Sequence, residues 1–246
     1  MLERFGPKLN VAVIGSSGGI GQAIVAAAAA LANVHQVYAL SRRRPTACET
    51  TVSWHEIDIT NEPSIAAAAS ELRDAGAPHI VVVTTGLLHD GPDFQPEKDW
   101  RQLDADRLAR SFAINAIGPA IVAKHMLTIM PKDRMGVFAV LSARVGSISD
   151  NALGGWYGYR ASKAALNMVL QNLAIELQRK NRATIAVGLH PGTVDTQLSQ
   201  PFQANTRPGQ LVQPDIAARN LLSVIGNLRA EDSGGVFAWD GVRIPA

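Results

Sequence analysis

The sequence predicts an α/β fold: a doubly wound parallel sheet of about seven strands with helices on both faces. Short apolar runs typical of strands alternate with longer helical stretches along the whole chain. Several of these runs are almost unbroken Val, Ile and Leu, as expected when both faces of a parallel sheet are covered. A length of 246 residues suits one such unit, so we predict a single domain over residues 1–246.

Each strand is predicted from an apolar run, and each helix fills the interval before the next run. The predicted strands are Leu9–Gly15, Gln36–Leu40, Thr51–Asp58, Ile80–Thr85, Gly136–Leu141, Thr184–Leu189 and Gly234–Ala238. The predicted helices are Ile20–Ala32, Glu62–Ala75, Ala105–Met130, Tyr157–Lys180 and Pro214–Leu228. The least patterned stretches, Leu87–Asp99 and Asp195–Gln213, follow strands, where the loops of this fold class build the site.

Composition excludes several classes of protein and of partner. Hydrophobic residues make up 47% and charged residues 18%, which is typical of a globular chain rather than a disordered one. The net charge of +2 is too small to indicate a nucleic-acid or membrane-surface partner. The longest apolar run, Ala23–Ala32, is too short to span a bilayer. The single cysteine, Cys48, suits a reducing cytoplasm, and we read it as structural.

A glycine-rich turn follows the first strand and opens the first helix. It reads Gly15-Ser16-Ser17-Gly18-Gly19-Ile20-Gly21. In this position such a turn binds the pyrophosphate of a dinucleotide, since glycines admit the backbone and the helix N-terminus offers free N–H groups. One alternative is a simple turn. Another is a hydrolase nucleophile at Ser17, because G-x-S-x-G is also matched, although only 14 residues precede Gly15.

The residue after the second strand decides which dinucleotide we expect. Ser41 is followed by three arginines, Arg42-Arg43-Arg44, and no Asp or Glu lies between Gln36 and Ala47. An acidic residue there would bind the ribose 2′-hydroxyl of NAD, whereas arginine accommodates the 2′-phosphate of NADP. We therefore predict NADP(H), with Arg42 the first choice and Arg43 the second. NAD(H) and a merely solvated basic loop are the alternatives.

Tyr159 and Lys163 are four residues apart in one predicted helix, so both lie on one helix face. An ammonium group near a tyrosine favours the phenolate and lowers its pKa. Such a pair can deliver a proton to a carbonyl oxygen. In the preceding predicted helix, Pro119 has no N–H to donate to the carbonyl of Asn115. One interpretation is that this free carbonyl holds a water that relays protons. The other is that the proline marks only a kink required by packing.

These motifs resemble the short-chain dehydrogenases/reductases, which have a Rossmann-type fold. The spacing Gly15-x-x-x-Gly19-x-Gly21 and the stretch Tyr159-Arg160-Ala161-Ser162-Lys163 are similar to the family's cofactor turn and active-site helix, although Ile14 stands where Thr is common. The segments Gly146-Ser147-Ile148 and Gly155-Trp156-Tyr157 resemble the branch of C-factor-like or carbonyl-reductase-like proteins. Asn115 resembles the family's helix asparagine.

The resemblance implies the cofactor contacts and the catalytic group. The cofactor-binding residues that the resemblance implies are Gly15, Ser17, Gly19, Ile20, Gly21, Arg42, Asp58, Ile59, Thr85, Gly86, Lys163, Pro191, Gly192, Thr193, Val194 and Thr196. The catalytic residues it implies are Tyr159, Lys163, Asn115 and Ser142. The family's substrate-binding serine lies three residues before the glycine, where this chain has Ala143, so Ser142 is the choice and Ser147 or no serine are the alternatives.

These interpretations predict an NADP(H)-dependent enzyme that reduces a small-molecule carbonyl compound or oxidises the corresponding alcohol. The alternative is a C-factor-like signalling or sensor protein that binds a dinucleotide and turns over little substrate. The stretch Phe112–Met130 is apolar all round, and the family commonly pairs such helices, so we expect a homodimer or homo-oligomer. We expect no metal, nucleic-acid or membrane partner and a cytoplasmic location.

Overall fold

The structure is a computed structural model that describes residues 1–44, 50–205 and 209–246. Cys48 lies outside the described residues, as do residues 206–208 of the predicted loop Asp195–Gln213.

The described residues form one eight-stranded sheet and a separate strand pair. In chain order the strands are β1 (Leu9–Ile14), β2 (Val34–Ser41), β3 (Val52–Glu56), β4 (Ile80–Val83), β5 (Gly136–Leu141), β6 (Thr184–His190), β7 (Thr193–Val194), β8 (Leu211–Val212), β9 (Val236–Ala238) and β10 (Arg243–Ile244). The sheet order is β10-β9-β6-β5-β4-β1-β2-β3, and all neighbours are parallel except β10 and β9. The predicted fold class is therefore confirmed, with β10 and the β7–β8 pair as additions.

Six α-helices cover the two faces of the sheet in the described part of the chain. They are α1 (Gly19–Ala29), α2 (Glu62–Gly76), α3 (Ala105–Phe112), α4 (Gly118–Ile129), α5 (Tyr157–Lys180) and α6 (Pro214–Asn227). Alternate residues of β1 face opposite layers: Val11 and Val13 pack with α1 and α6, while Ala12 and Ile14 pack with α2, α4 and α5. Both faces of the strands are thereby buried, which explains their nearly continuous apolar sequence.

The predicted continuous helix Ala105–Met130 is wrong in one respect. A π-helical segment, Ala113–Ile117, separates α3 from α4, and the Gly118 N–H donates to the Ala113 carbonyl five residues back. The missing N–H of Pro119 explains the need for a local rearrangement. By length and composition alone, Ala105–Ile129 is long and apolar enough to cross a membrane. In this fold, 39% of its most apolar window is buried.

The order of the strands reverses beside β1, because β2 and β4 pair with it on opposite sides. At such a point the loops after neighbouring strands diverge and leave a crevice at the carboxyl edge of the sheet. The loops after the successive strands β1 to β6 all leave the sheet at this edge, since these strands are parallel.

Candidate active site

The glycine turn has no room for side chains at its first and last glycines. Gly15 has a φ of +89°, and a Cβ there would lie 2.6 Å from Thr84 Oγ1. A Cβ on Gly21 would lie 2.2 Å from the Gly15 carbonyl oxygen. The turn thus brings the start of α1 directly onto the end of β1, as a close backbone approach to a phosphate requires.

The exposed part of the turn can accept a dinucleotide. Ser17, Gly18 and Gly19 are exposed, Ile20 is half-buried, and among the described side chains none caps the N-terminus of α1. Thr85 lies against Gly15, and its Oγ1 is buried without a hydrogen-bond partner among the described residues. Free helix N–H groups and an unpaired buried hydroxyl are groups that a bound phosphate and sugar would satisfy. The residues present therefore fit a dinucleotide.

The segment after β6 folds across this turn. Thr196 places its Cγ2 2.8 Å from the position of a Cβ on Gly19, and Leu198 places its Cδ1 3.8 Å from that of a Cβ on Gly86. Pro191, Gly192, Thr193 and Val194 lead into it, and Gly192 has a φ of +80° against the Trp239 ring. The structure thus brings the predicted residues after β1, β4 and β6 together.

Arg42 and Asp58 stand at the ends of neighbouring strands. Arg42 is exposed directly after β2, and Asp58 follows β3. Hydrogen bonds from Thr60, followed by the charge of Arg42, hold the pKa of Asp58 below its usual range. Ile59 turns inward instead and packs against Gly118 at the start of α4. Arg43 and Arg44 are also exposed, so this corner offers cationic side chains where a ribose phosphate is expected.

Tyr159 and Lys163 lie together in the first turns of α5. The Lys163 Nζ is 5.8 Å from the centre of the Tyr159 ring, and it donates to the Leu141 carbonyl at the end of β5 over 2.7 Å. It is also 3.8 Å from the position that a Cβ on Gly86 would take. The lysine, the tyrosine and the end of β4 therefore share one corner.

Burial, rather than the charge of Lys163, dominates the pKa of Tyr159. Burial raises the pKa of Tyr159 to about 12 and lowers the pKa of Lys163 to about 8. The ammonium group bonds a backbone carbonyl, and no hydrogen bond joins the two side chains among the described residues. Desolvation therefore outweighs the attraction between the two groups.

Asn115 lies in the π-helical segment and is fully buried. Its Oδ1 accepts from the Leu87 N–H over 2.8 Å, and its Nδ2 donates to the Leu87 carbonyl over 2.8 Å and to the Ser162 hydroxyl over 3.1 Å. The side chain thus ties the loop after β4 to α5 beside Lys163. These bonds also fix the backbone of Asn115, whose carbonyl cannot accept a hydrogen bond from Pro119 because proline has no N–H.

The structure does not place the Ser142 hydroxyl where its predicted role requires it. Its hydroxyl is 3% exposed and donates to Asn167 Oδ1 over 2.6 Å, two helical turns beyond Tyr159. Ser147 is equally buried, and its hydroxyl donates to the carbonyl of Ala246 over 3.3 Å. Side chains of successive residues in an extended chain point to opposite sides, so Ala143 rather than Ser142 takes the expected position. Neither serine bonds Tyr159 in the described part of the chain.

An aromatic cluster that the sequence did not reveal lies beside Tyr159. The Trp156 ring is 6.4 Å from the Tyr159 ring and 5.0 Å from the Phe202 ring, and His89 meets Phe202 edge-on at 5.7 Å. Trp156, His89 and Phe202 come from segments that are distant in the sequence, so no local pattern links them. Gly154-Gly155 was the one available signal of an unusual turn before Trp156.

The hydrolase alternative finds no support at Ser17. This serine is exposed on the glycine turn, and no histidine bonds it among the described residues. A serine nucleophile requires a base within hydrogen-bond reach.

The comparisons with known proteins agree with this geometry. The family profile described as short chain dehydrogenase matches residues 9–207. C-signal from Myxococcus xanthus is 36% identical over 143 residues, which are 58% of this chain and 81% of that protein. The 1-hydroxy-2-glutathionyl-2-methyl-3-butene dehydrogenase of Rhodococcus sp. (strain AD45) is 32% identical over 188 residues, which are 75% of this chain and 76% of that protein.

Solved structures share the fold at lower identity. The NADPH-bound carbonyl reductase from chicken fatty liver has a TM-score of 0.84 at 22% identity, over 99% of this chain and 97% of that one. The carbonyl reductase Sniffer of D. melanogaster has a TM-score of 0.84 at 20% identity, over 98% and 100%. With a family match over most of its length and relatives above 30% identity, the chain belongs to the short chain dehydrogenase family of oxidoreductases.

Proposed function

We propose that this oxidoreductase uses NADP(H) to reduce a carbonyl group to an alcohol, or to catalyse the reverse reaction. The observation that carries the proposal is the convergence of Tyr159 and Lys163 with the glycine at the end of β4. Lys163 Nζ is buried 3.8 Å from the position of a Cβ on Gly86 and 5.8 Å from the centre of the Tyr159 ring. A proton donor and a dinucleotide cradle thus meet at one edge of the sheet.

In the proposed reduction, Tyr159 donates its phenolic proton to the carbonyl oxygen. Bound NADPH would supply the hydride that the carbonyl carbon accepts. Burial raises the pKa of Tyr159 to about 12, so at neutral pH the phenol holds the proton that the carbonyl oxygen must receive. In the reverse direction Tyr159 must lose its proton, which the Lys163 ammonium group favours. Asn115 holds the loop after β4 in place beside Lys163.

Arg42 supports NADP(H) rather than NAD(H). It is exposed beyond the end of β2, next to the carboxylate of Asp58. Its planar fork of donors matches a phosphate group. The name of the chicken carbonyl reductase structure, which contains NADPH, agrees with this choice.

The first test is a fluorescence titration of the purified protein with NADPH and, separately, NADH at several salt concentrations. We expect tight NADPH binding and much weaker NADH binding. Carbonyl compounds are then tested for reduction by the wild type and by Tyr159→Phe. We expect the variant to bind NADPH normally and to lose turnover. Turnover that survives in Tyr159→Phe, with cofactor binding unchanged, would show that the assigned proton donor is wrong.

A second candidate is an NADP(H)-binding signalling or sensor protein with little turnover. The hydrogen bond from the Ser142 hydroxyl to Asn167 favours this candidate, because Ala143 has no hydroxyl that could bind the substrate in its place. The similarity to the relative named C-signal agrees with it. A wild type that binds NADPH tightly yet reduces no carbonyl compound faster than Tyr159→Phe would establish this candidate over the reductase.

We also propose that the chain is a single domain that forms a homodimer in the cytoplasm. Met168 and Ile175 are exposed seven residues apart on one face of α5, with exposed fractions of 62% and 45%. Apolar side chains in such a row are typical of a helix that packs against a partner. The mass from light scattering should be that of a dimer, and Met168→Glu should reduce it to that of a monomer.

A further inference from the structure

The chain makes an unusual turn directly before the catalytic helix. Gly154, Gly155 and Trp156 have φ values of +64°, +65° and +51°, so three successive residues are left-handed. Glycine adopts this conformation freely, whereas a bulky residue such as Trp156 is strained there. A strained residue keeps its conformation only when its surroundings hold it.

Glu97, from the loop after β4, bonds the last residue of this turn and the start of α5. Its carbonyl accepts the Trp156 N–H, and its Oε2 accepts the Gly158 N–H over 3.1 Å. The side chain is 5% exposed. The fit is close: a Cβ on Gly155 would lie 3.4 Å from the Glu97 carbonyl oxygen, and one on Gly158 would lie 3.0 Å from its Oε1.

Arg160 restrains the same turn from the other direction. Its Nε donates to the carbonyls of Gly154 and Gly155 over 3.1 Å and 3.0 Å. Arg160 therefore holds the carbonyls of the turn, while Glu97 holds the N–H of Trp156 at its end and the N–H of Gly158 in α5.

The Glu97 carboxylate also replaces a missing helix cap. Trp156 occupies the N-cap position of α5 and has no side chain that can accept a hydrogen bond. Glu97 supplies the acceptor from 61 residues away in the sequence. An acceptor at this place is favourable because the first N–H groups of a helix have no partner within the helix. Tyr159 lies in this first turn of α5, and its ring meets the Trp156 ring.

We propose that Glu97 is a positioning residue for the catalytic tyrosine. By fixing the left-handed Trp156 and the first turn of α5, it sets the location of the Tyr159 ring relative to the substrate side of the site. The inference rests on the proposed function, in which Tyr159 is the proton donor. Glu97 itself contacts no reacting atom, and the length of its side chain, rather than its charge, is the feature that matters.

Three variants of Glu97 and one control test this inference. Glu97→Ala removes the acceptor, and Glu97→Asp keeps the charge but is one methylene too short for Gly158. Glu97→Gln keeps a carbonyl oxygen at the same reach. Asp104→Ala is the matched control, since Asp104 caps α3 by accepting the Arg107 N–H over 2.9 Å.

The first measurement is amide hydrogen exchange of residues 156–160 in the protein without cofactor. We expect exchange there to accelerate about 10- to 100-fold in Glu97→Ala and Glu97→Asp, since the buried Gly158 N–H is left without its acceptor. Glu97→Gln should stay close to the wild type. Asp104→Ala should accelerate exchange at the start of α3 only.

The second measurement is the steady-state reduction of a carbonyl compound with NADPH. We expect kcat to fall about 10- to 100-fold in Glu97→Ala and Glu97→Asp, because a displacement of about 1 Å can cost about 100-fold. The Kd of NADPH should not change, and Glu97→Gln should restore kcat. If Glu97→Ala does not fold, the comparison of Asp with Gln gives the same answer.

Each outcome decides one of the two proposals. Exchange at residues 156–160 that is unchanged in Glu97→Asp would overturn the positioning role, as would faster exchange with an unaltered kcat. A loss of kcat in Glu97→Gln equal to that in Glu97→Ala would also overturn it, because charge would then be the cause. If the wild type reduces no carbonyl compound, the proposed function fails, and the exchange pattern alone decides whether Glu97 holds the turn.

Discussion

Replacing Lys163 by methionine should change how the stability of the protein depends on pH. Lys163 is 2% exposed, and among the described residues its ammonium group has one hydrogen bond, to the Leu141 carbonyl. Burial disfavours the charged form and lowers the pKa from 10.5 to about 8. The substitution removes this titration and keeps a side chain of similar length.

The expected magnitude follows from the two pKa values of Lys163. Below pH 8 both the folded and the unfolded chain hold the proton. Between pH 8 and 10.5 the unfolded chain still holds it while the folded chain has lost it, so the free energy of unfolding rises with pH. From pH 7 to pH 10, the free energy of unfolding of the wild type relative to Lys163→Met should rise by about 2 to 3 kcal/mol.

The assay is urea unfolding followed by tryptophan fluorescence at pH 7, 8, 9 and 10. Tyr159 has little effect in this window, because its pKa is raised from 10.0 to about 12, so its contribution falls mainly above pH 10, and both proteins contain it. The exposed Lys132→Met variant gives the effect of removing a surface lysine, which is subtracted.

A difference between wild type and Lys163→Met that stays flat from pH 7 to pH 10 would refute the reasoning. Lys163 would then titrate in the folded chain as it does in the unfolded one. Its ammonium group would have to be hydrated, and the corner between α5 and the end of β4 would be open to water.

Three further predictions concern the cofactor and the substrate. Arg42→Ala should weaken NADPH binding about 10- to 100-fold and leave NADH binding nearly unchanged in fluorescence titrations, with Arg44→Ala as the control, because a charged hydrogen bond to phosphate is lost. Gly19→Ala should weaken both dinucleotides in the same titrations, since the added Cβ would occupy the exposed turn and force the Thr196 side chain, 2.8 Å away, to shift. Ala143→Ser should raise kcat up to about 100-fold by supplying the missing oxygen donor, and an unchanged kcat would show that another group has this role.

The parts of the fold that depend on local sequence were predictable. β5 and α5 have the predicted bounds, Gly136–Leu141 and Tyr157–Lys180, because a continuous apolar run and a long helical stretch determine them locally. β10 was not predicted, since a strand of two residues has too little pattern and exists only through its pairing with β9. The division of Ala105–Met130 was missed because a single proline does not show which hydrogen bonds replace the lost one.

The candidate site likewise has features that the local sequence predicts and features that it does not. The sequence by itself determined the glycine turn, the Tyr159–Lys163 pair and the arginine after β2, since each is a spacing within a few residues on a predictable element. Only the tertiary structure decided that Ser142 bonds Asn167, that Glu97 caps α5, and that burial raises one pKa and lowers the other. The physical reason is that hydrogen-bond partners and desolvation arise from residues distant in the chain, which come together only when the sheet and its loops are folded.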